Sequence, residues 1–117
     1  MKIKLIQILE AKGTLEKIFN SKLPIKTAFK LSFASEELNR IIDKYENMRI
    51  KKILELGEKQ ADGTYKVKPE NEIKFQEDMR TLMDEEIDIN IEQIEKDELE
   101  GINLSANEIS KIRYLIR

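Results

Sequence analysis

A chain of 117 residues with neither Cys nor His is a single domain by length, spanning 1–117. It has no disulfide, no thiolate chemistry, no cysteine zinc site, and neither the commonest general base nor the commonest transition-metal ligand. Its 40% apolar and 38% charged residues fit a helical protein with much solvated surface, and no apolar run approaches the roughly 20 residues of a membrane span. The formal charge of −2 hides a gradient: residues 1–68 carry 15 Lys/Arg against 9 Asp/Glu (+6), and residues 69–117 carry 6 against 14 (−8). A basic face for nucleic acid is one reading of that gradient; two halves that pack together and neutralise each other is the other, and mixed charges favour it.

Met1, Ile3 and Leu5 alternate with Lys2 and Lys4, the period-two signature of a half-buried strand. The interrupted apolar start carries no small-residue cleavage site, so no export signal is expected and a cytoplasmic protein is. From Ile6 the period changes: Ile8, Ala11, Leu15, Ile18 and Phe19 share one helical face, predicting a helix to about Asn20.

Leu23 to Gly57 is the longest element. Pro24 suits a helix start and Gly57 the left-handed residue past a helix end. Between them Leu38, Ile41, Ile42, Tyr45, Met48, Ile53 and Leu56 recur three or four apart, a one-sided apolar stripe. Unbroken, this helix is roughly 50 Å long. Ser32 and Ser35 compete for backbone hydrogen bonds, so a break near Leu31–Ser35 is as well supported as continuity.

Asp62-Gly63 is a strong hairpin signal, predicting a ribbon with Lys59-Gln60 facing Tyr65-Lys66. Pro69 repeats the helix-start device, with Glu70 and Glu72 in the first turn and Phe75, Met79, Leu82 and Met83 as the buried stripe. A helix over 69–84 should fold back antiparallel along the second half of the long one. Ile87, Ile89 and Ile91 then alternate with Asp88, Asn90 and Glu92. Opposite charges across a ladder are favourable, so Met1–Leu5 and Ile87–Ile91 are expected to pair. Glu95–Glu98 reads as a loop or helical turn. Ser105 and Glu108 form a capping box, with Leu104 and Ile109 placed to staple it. Ile109, Ile112, Leu115 and Ile116 give that last helix its apolar face. The expected fold is therefore α+β, mainly α: a long antiparallel helical hairpin, a small two-stranded antiparallel β element and a capped C-terminal helix.

Few residues suggest chemistry. Glu86, Asp88, Asn90 and Glu92 alternate, but a calcium loop needs Gly at its sixth position, where Ile91 stands. The acidic runs are adjacent surface acids, and these do not specify the two carboxylates across a cleft that hydrolysis of glycosides needs. Four glycines make no phosphate cradle. No catalytic residue, cofactor or metal is expected. Lys22, Lys26 and Lys30 are spaced by four, followed by Arg40 and Lys44. Phosphate contacts are available to them, although Glu36, Asp43 and Glu46 interrupt the field and few aromatics are present to stack on bases.

The Met-Lys-Ile-Lys-Leu start, the run Leu23-Pro24-Ile25-Lys26-Thr27-Ala28-Phe29-Lys30-Leu31, the Gly57-Glu58-Lys59…Asp62-Gly63 loop and Glu85-Glu86-Ile87-Asp88-Ile89 together resemble small accessory proteins encoded by phages and prophages, a family without an assigned activity. The resemblance implies a phage accessory or assembly protein. The function expected is non-enzymatic binding of another protein, host or phage, such as a host factor or host defence complex. A self-associating phage structural or assembly component, and a nucleic-acid-binding module, are the competing readings. The expected contact surface is Lys22, Lys26, Phe29, Lys30, Phe33, Arg40 and Lys44: aromatic anchors inside, cationic rim outside. The opposing expectation is that Phe29, Leu31 and Phe33 are all buried by the terminal helices.

Overall fold

A computed structural model describes all residues, 1–117. The chain is α+β, mainly α. In order it forms β1 (Lys2–Lys4), α1 (Leu5–Phe19), α2 (Ile25–Leu56), β2 (Gly57–Lys59), β3 (Tyr65–Val67), a 3-10 turn (Pro69–Asn71), α3 (Glu72–Met83), β4 (Glu86–Asp88), a 3-10 turn (Lys96–Leu99), α4 (Ala106–Lys111) and a last 3-10 turn (Arg113–Leu115). No helix is long and apolar enough to cross a membrane.

The two expected β elements form. β1 pairs antiparallel with β4, setting Lys2 opposite Asp88, Ile3 opposite Ile87 and Lys4 opposite Glu86, so every polar rung joins opposite charges. β2 and β3 form the ribbon, with Lys59 opposite Tyr65 and Gly57 opposite Val67. Asp62 shapes the turn, accepting from the Thr64 N–H at 3.0 Å, while Gly63 takes a φ of 88°. At the C-terminus Ser105 Oγ accepts from the Glu108 N–H at 3.1 Å, and the Glu108 carboxylate accepts from the Ser105 N–H at 3.0 Å. The α-helix after this box is short. It tightens into a 3-10 turn at Arg113, which carries Ile112 and Leu115 into the core.

α2 does not break at its serines. Ser32 donates to the Phe29 carbonyl at 2.6 Å, and Ser35 Oγ accepts from Asn39 Nδ2 at 3.2 Å. Both hydroxyls are thereby satisfied along the helix, while buried Leu31, Ala34 and Leu38 hold this stretch on α1; packing overrides propensity. The helix end differs from expectation. Gly57 has φ −111° and ψ −177°, so it is extended and not left-handed, and α2 passes directly into β2. Glycine is needed there for space: a Cβ would lie 2.5 Å from the Ile53 carbonyl oxygen and 2.6 Å from that of Lys66. The terminal Leu56 carbonyl accepts from Asn71 Nδ2 at 2.9 Å and the Lys68 N–H at 3.1 Å.

The core occupies one end of the molecule. Leu5, Ile8, Ala11, Leu15 and Ile18 of α1 face Leu31, Leu38, Ile41 and Ile42 of α2, and Ile89, Ile94, Leu99, Ile112 and Leu115 close the base. Between Ile42 and Ile89 no residue is buried. α3 runs back along the distal half of α2 as expected: Lys52 meets Asp78 at 3.5 Å, and Met48 lies beside Leu82. That contact is thin, and α3 buries none of its residues fully. On its inner side the first half of α2 is the better covered half, because α1 and the C-terminal segments converge there. The charge gradient is met by pairing between the halves: Lys4–Asp84, Lys17–Glu108, Lys30–Glu98 and Lys52–Asp78.

Candidate functional site: the outer face of the long helix

Ile25, Phe29 and Phe33 follow one another at intervals of four, so they stack along one helical face. Leu31, two residues from Phe29 and about 200° around the helix, is 1% exposed, whereas Ile25, Phe29 and Phe33 are 88%, 66% and 58% exposed. The three residues about which burial and exposure were both argued thus divide: Leu31 belongs to the core and the two phenylalanines to the surface. The Phe29 and Phe33 rings stand edge to face, centroids 5.0 Å apart at 88°, the geometry their quadrupoles favour. They form a preset aromatic step on a rigid helix.

The cationic rim is smaller than the sequence implied. Lys22, in the loop before α2, and Lys26 are exposed. Lys30 is drawn away from the rim: its side chain is 15% exposed, with Nζ 3.2 Å from Glu98 Oε2 and 3.6 Å from Glu92 Oε1. Arg40 carries its own counter-ion, Glu37, at 2.8 Å. Lys44 is exposed. The set Lys22, Lys26, Lys30, Arg40 and Lys44 therefore makes no continuous cationic stripe, because acids from the same helix and from the C-terminal segment neutralise two of its members.

Glu98 fastens the base of the site. Its carboxylate accepts from Thr27 Oγ1 at 3.3 Å, from Lys30, and from the Glu95 N–H at 2.8 Å. The Glu95 amide and then Lys30 hold the Glu98 carboxyl below the usual carboxylate range, and Glu98 holds Lys30 above the usual 10.5. A lowered folded-state pKa contributes stability that is present above the unfolded carboxylate pKa and is lost as pH falls through the folded value. Glu98→Gln is accordingly expected to lower the melting temperature near neutral pH. The gap from wild type should close as pH falls below the carboxylate range. Melting curves of both proteins across pH check this; a gap independent of pH would refute the linkage.

Sequence reasoning placed Met48 on the core stripe and passed over Ile50 and Leu54. These side chains are 52%, 48% and 51% exposed, and Ile50 and Leu54 lie on the face of Ile25 and Phe29. The signal was available. Ile25, Phe29, Ser32, Glu36, Asn39, Asp43, Asn47, Ile50 and Leu54 recur three or four apart, half a turn from the core stripe, and every one is exposed. A concavity of about 610 Å³ lies apart from this face, between Leu99, Ile102, Leu104, Ile109 and Ile116. All the charged residues around it are exposed, so no buried polar set converges there. No cluster of three or more His, Cys, Asp or Glu side chains is placed to hold a metal ion. Comparisons with protein-family models, with curated proteins and with solved structures find no match.

Proposed function

We propose that this chain is a non-enzymatic, phage-type protein that works in the cytoplasm by binding another protein, and that the outer face of α2 makes the contact. The observation that carries this reading is the exposed run Ile25, Phe29 and Phe33 on an unbroken helix. Three large apolar side chains in one contiguous patch mark an interaction surface where single exposed ones do not. The edge-to-face pair supplies rigid aromatic anchors that lose little conformational freedom on binding. Lys22, Lys26 and Lys44 supply charge at the rim, which steers encounter more than it adds affinity. In the phage setting that the resemblance implies, the partner is a host factor or defence complex that the contact inhibits, or a phage protein.

The test is affinity capture from host lysate with wild type and with Phe29→Asp/Phe33→Asp. Full burial of a Phe side chain is worth about 1.5–3 kcal/mol, so the double variant is expected to bind its partner at least about a hundredfold more weakly. Its melting temperature should stay near that of wild type, since neither ring is in the core. Undiminished capture by a folded double variant would remove this face from the reading.

A further inference from the structure

We propose that the protein bound by this face is a second copy of this chain, docked antiparallel about a two-fold axis passing near Arg40. The inference rests on the reading that the outer face of α2 is a protein-contact surface, and it names the occupant.

The face is self-complementary when reversed. Apolar groups lie at both ends, Ile25, Phe29 and Phe33 at one and Ile50 and Leu54 at the other, all about half exposed or more. Charged groups fill the middle. Turning the helix end for end about a centre between Asn39 and Arg40 brings Ile25 opposite Leu54 and Phe29 opposite Ile50. Within a residue of that centre the same turn sets Glu37 against Lys44 and Lys26 against Glu55, and it brings Glu36 and Asp43 together beside Arg40 and its image. A closed two-fold contact uses one patch on both copies, so each residue must suit its image. A parallel alignment in register also matches the apolar groups, but it sets Lys26 on Lys26, Glu37 on Glu37, Lys44 on Lys44 and Glu55 on Glu55, and so loses the opposite-charge pairs. Arg40 approaches its own image at the axis, but its charge is already met by Glu37 at 2.8 Å. The outward positions recur three and four apart from Ile25 to Leu54, the spacing of a helix–helix seam.

The surface left open is large enough. The chain exposes 8243 Å², where a compact monomer of 13.8 kDa exposes roughly 6,600 Å². The excess, spread over the whole elongated chain, is about twice the roughly 800 Å² that each partner buries in a stable interface. The radius of gyration, 17.3 Å, likewise exceeds the roughly 13 Å of a compact chain of this length. From Ile25 to Leu54 the face runs about 44 Å, and no other element of the chain covers it.

Sedimentation over a wide concentration range, together with thiol cross-linking, tests the inference; the chain has no Cys, so each introduced thiol is unique. Wild type is expected to approach twice the 13.8 kDa chain mass at high concentration and to dissociate on dilution. Leu54→Asp should weaken that association at least tenfold while remaining folded. Asn39→Cys, beside the axis, should cross-link to itself with a short bifunctional reagent. Ser32→Cys mixed with Asn47→Cys should give a mixed cross-linked pair, while Glu10→Cys on α1 should give none. Wild type at the single-chain mass throughout, a mass above two copies, or preferential linking of Ser32→Cys to itself would each overturn the antiparallel pair. If wild type is monomeric and Phe29→Asp/Phe33→Asp still abolishes capture of a host protein, the second copy falls and the contact face stands. If wild type is dimeric through Leu54 and capture ignores the phenylalanines, the pair stands and the host-binding role of the face falls.

Discussion

Leu38→Ala is expected to remove about 2–5 kcal/mol of folding free energy, whereas Leu54→Ala on the same helix should change it by less than about 0.5 kcal/mol. Leu38 is 1% exposed and wedged between α1 and α2; Leu54 is 51% exposed on the outer face. Truncating Leu38 loses the transfer energy of its methyl groups and leaves a cavity that the close-packed helices cannot fully collapse. Truncating Leu54 removes atoms that water already touches. Since a domain of this size is stable by only about 5–15 kcal/mol, the first change takes a large share of the total. Urea denaturation of the two variants under dilute, monomeric conditions measures the contrast. Equal losses would mean that the inner and outer faces of α2 have been assigned wrongly.

Gly57→Ala is expected to destabilise by about 1–3 kcal/mol, the usual range for forcing atoms into a filled site. The new methyl would lie 2.5 Å from the Ile53 carbonyl oxygen and 2.6 Å from that of Lys66, and neither backbone oxygen can swing aside as a long side chain would. Relief requires α2 and the β2–β3 ribbon to part, so the Gly57–Val67 pairing should open first. Hydrogen exchange at the Gln60 amide, which donates to Thr64 O at 2.7 Å, should quicken along with the lowered melting temperature. Gly13→Ala makes the control. Nothing lies within 4 Å of a Cβ placed there, and the position is interior to α1, so alanine is expected to stabilise by up to about 1 kcal/mol. Destabilisation at Gly13, or none at Gly57, would contradict the packing described.

Much of the architecture was legible because local rules and tertiary outcome agree. The Pro24 start of α2, the Asp62-Gly63 turn and the Ser105–Glu108 box are local chemistry and appear as expected. The pairing of the N-terminal strand with the isoleucine segment was legible through its opposite charges and matched alternation, although the ladder forms over Lys2–Lys4 and Glu86–Asp88 and leaves Asn90 and Ile91 outside it. The misreadings concern positions where the deciding partner is remote. Lys30 looked like a free rim charge because Glu98, which holds it, lies 68 residues away. Gly57 looked like a left-handed cap because the ribbon strand that crowds it lies beyond the turn. Met48 shares the spacing of the core stripe, but spacing names a face and not the element that covers it, and α3 covers that stretch thinly. Phe29 and Phe33 were legible as candidate anchors; their ordering against Leu31 became visible only once α1 was seen to take the inner face.

The central claim is that the outer face of α2 is covered by protein in the working assembly. Hydroxyl-radical footprinting of the assembly isolated from cells, compared with the same chain diluted to monomer, measures this most directly. Phe29 and Phe33 are expected to lose reactivity in the assembly, while Tyr65 on the ribbon, exposed but off that face, keeps its own. Equal reactivity of Phe29 and Phe33 in the two states would contradict the account.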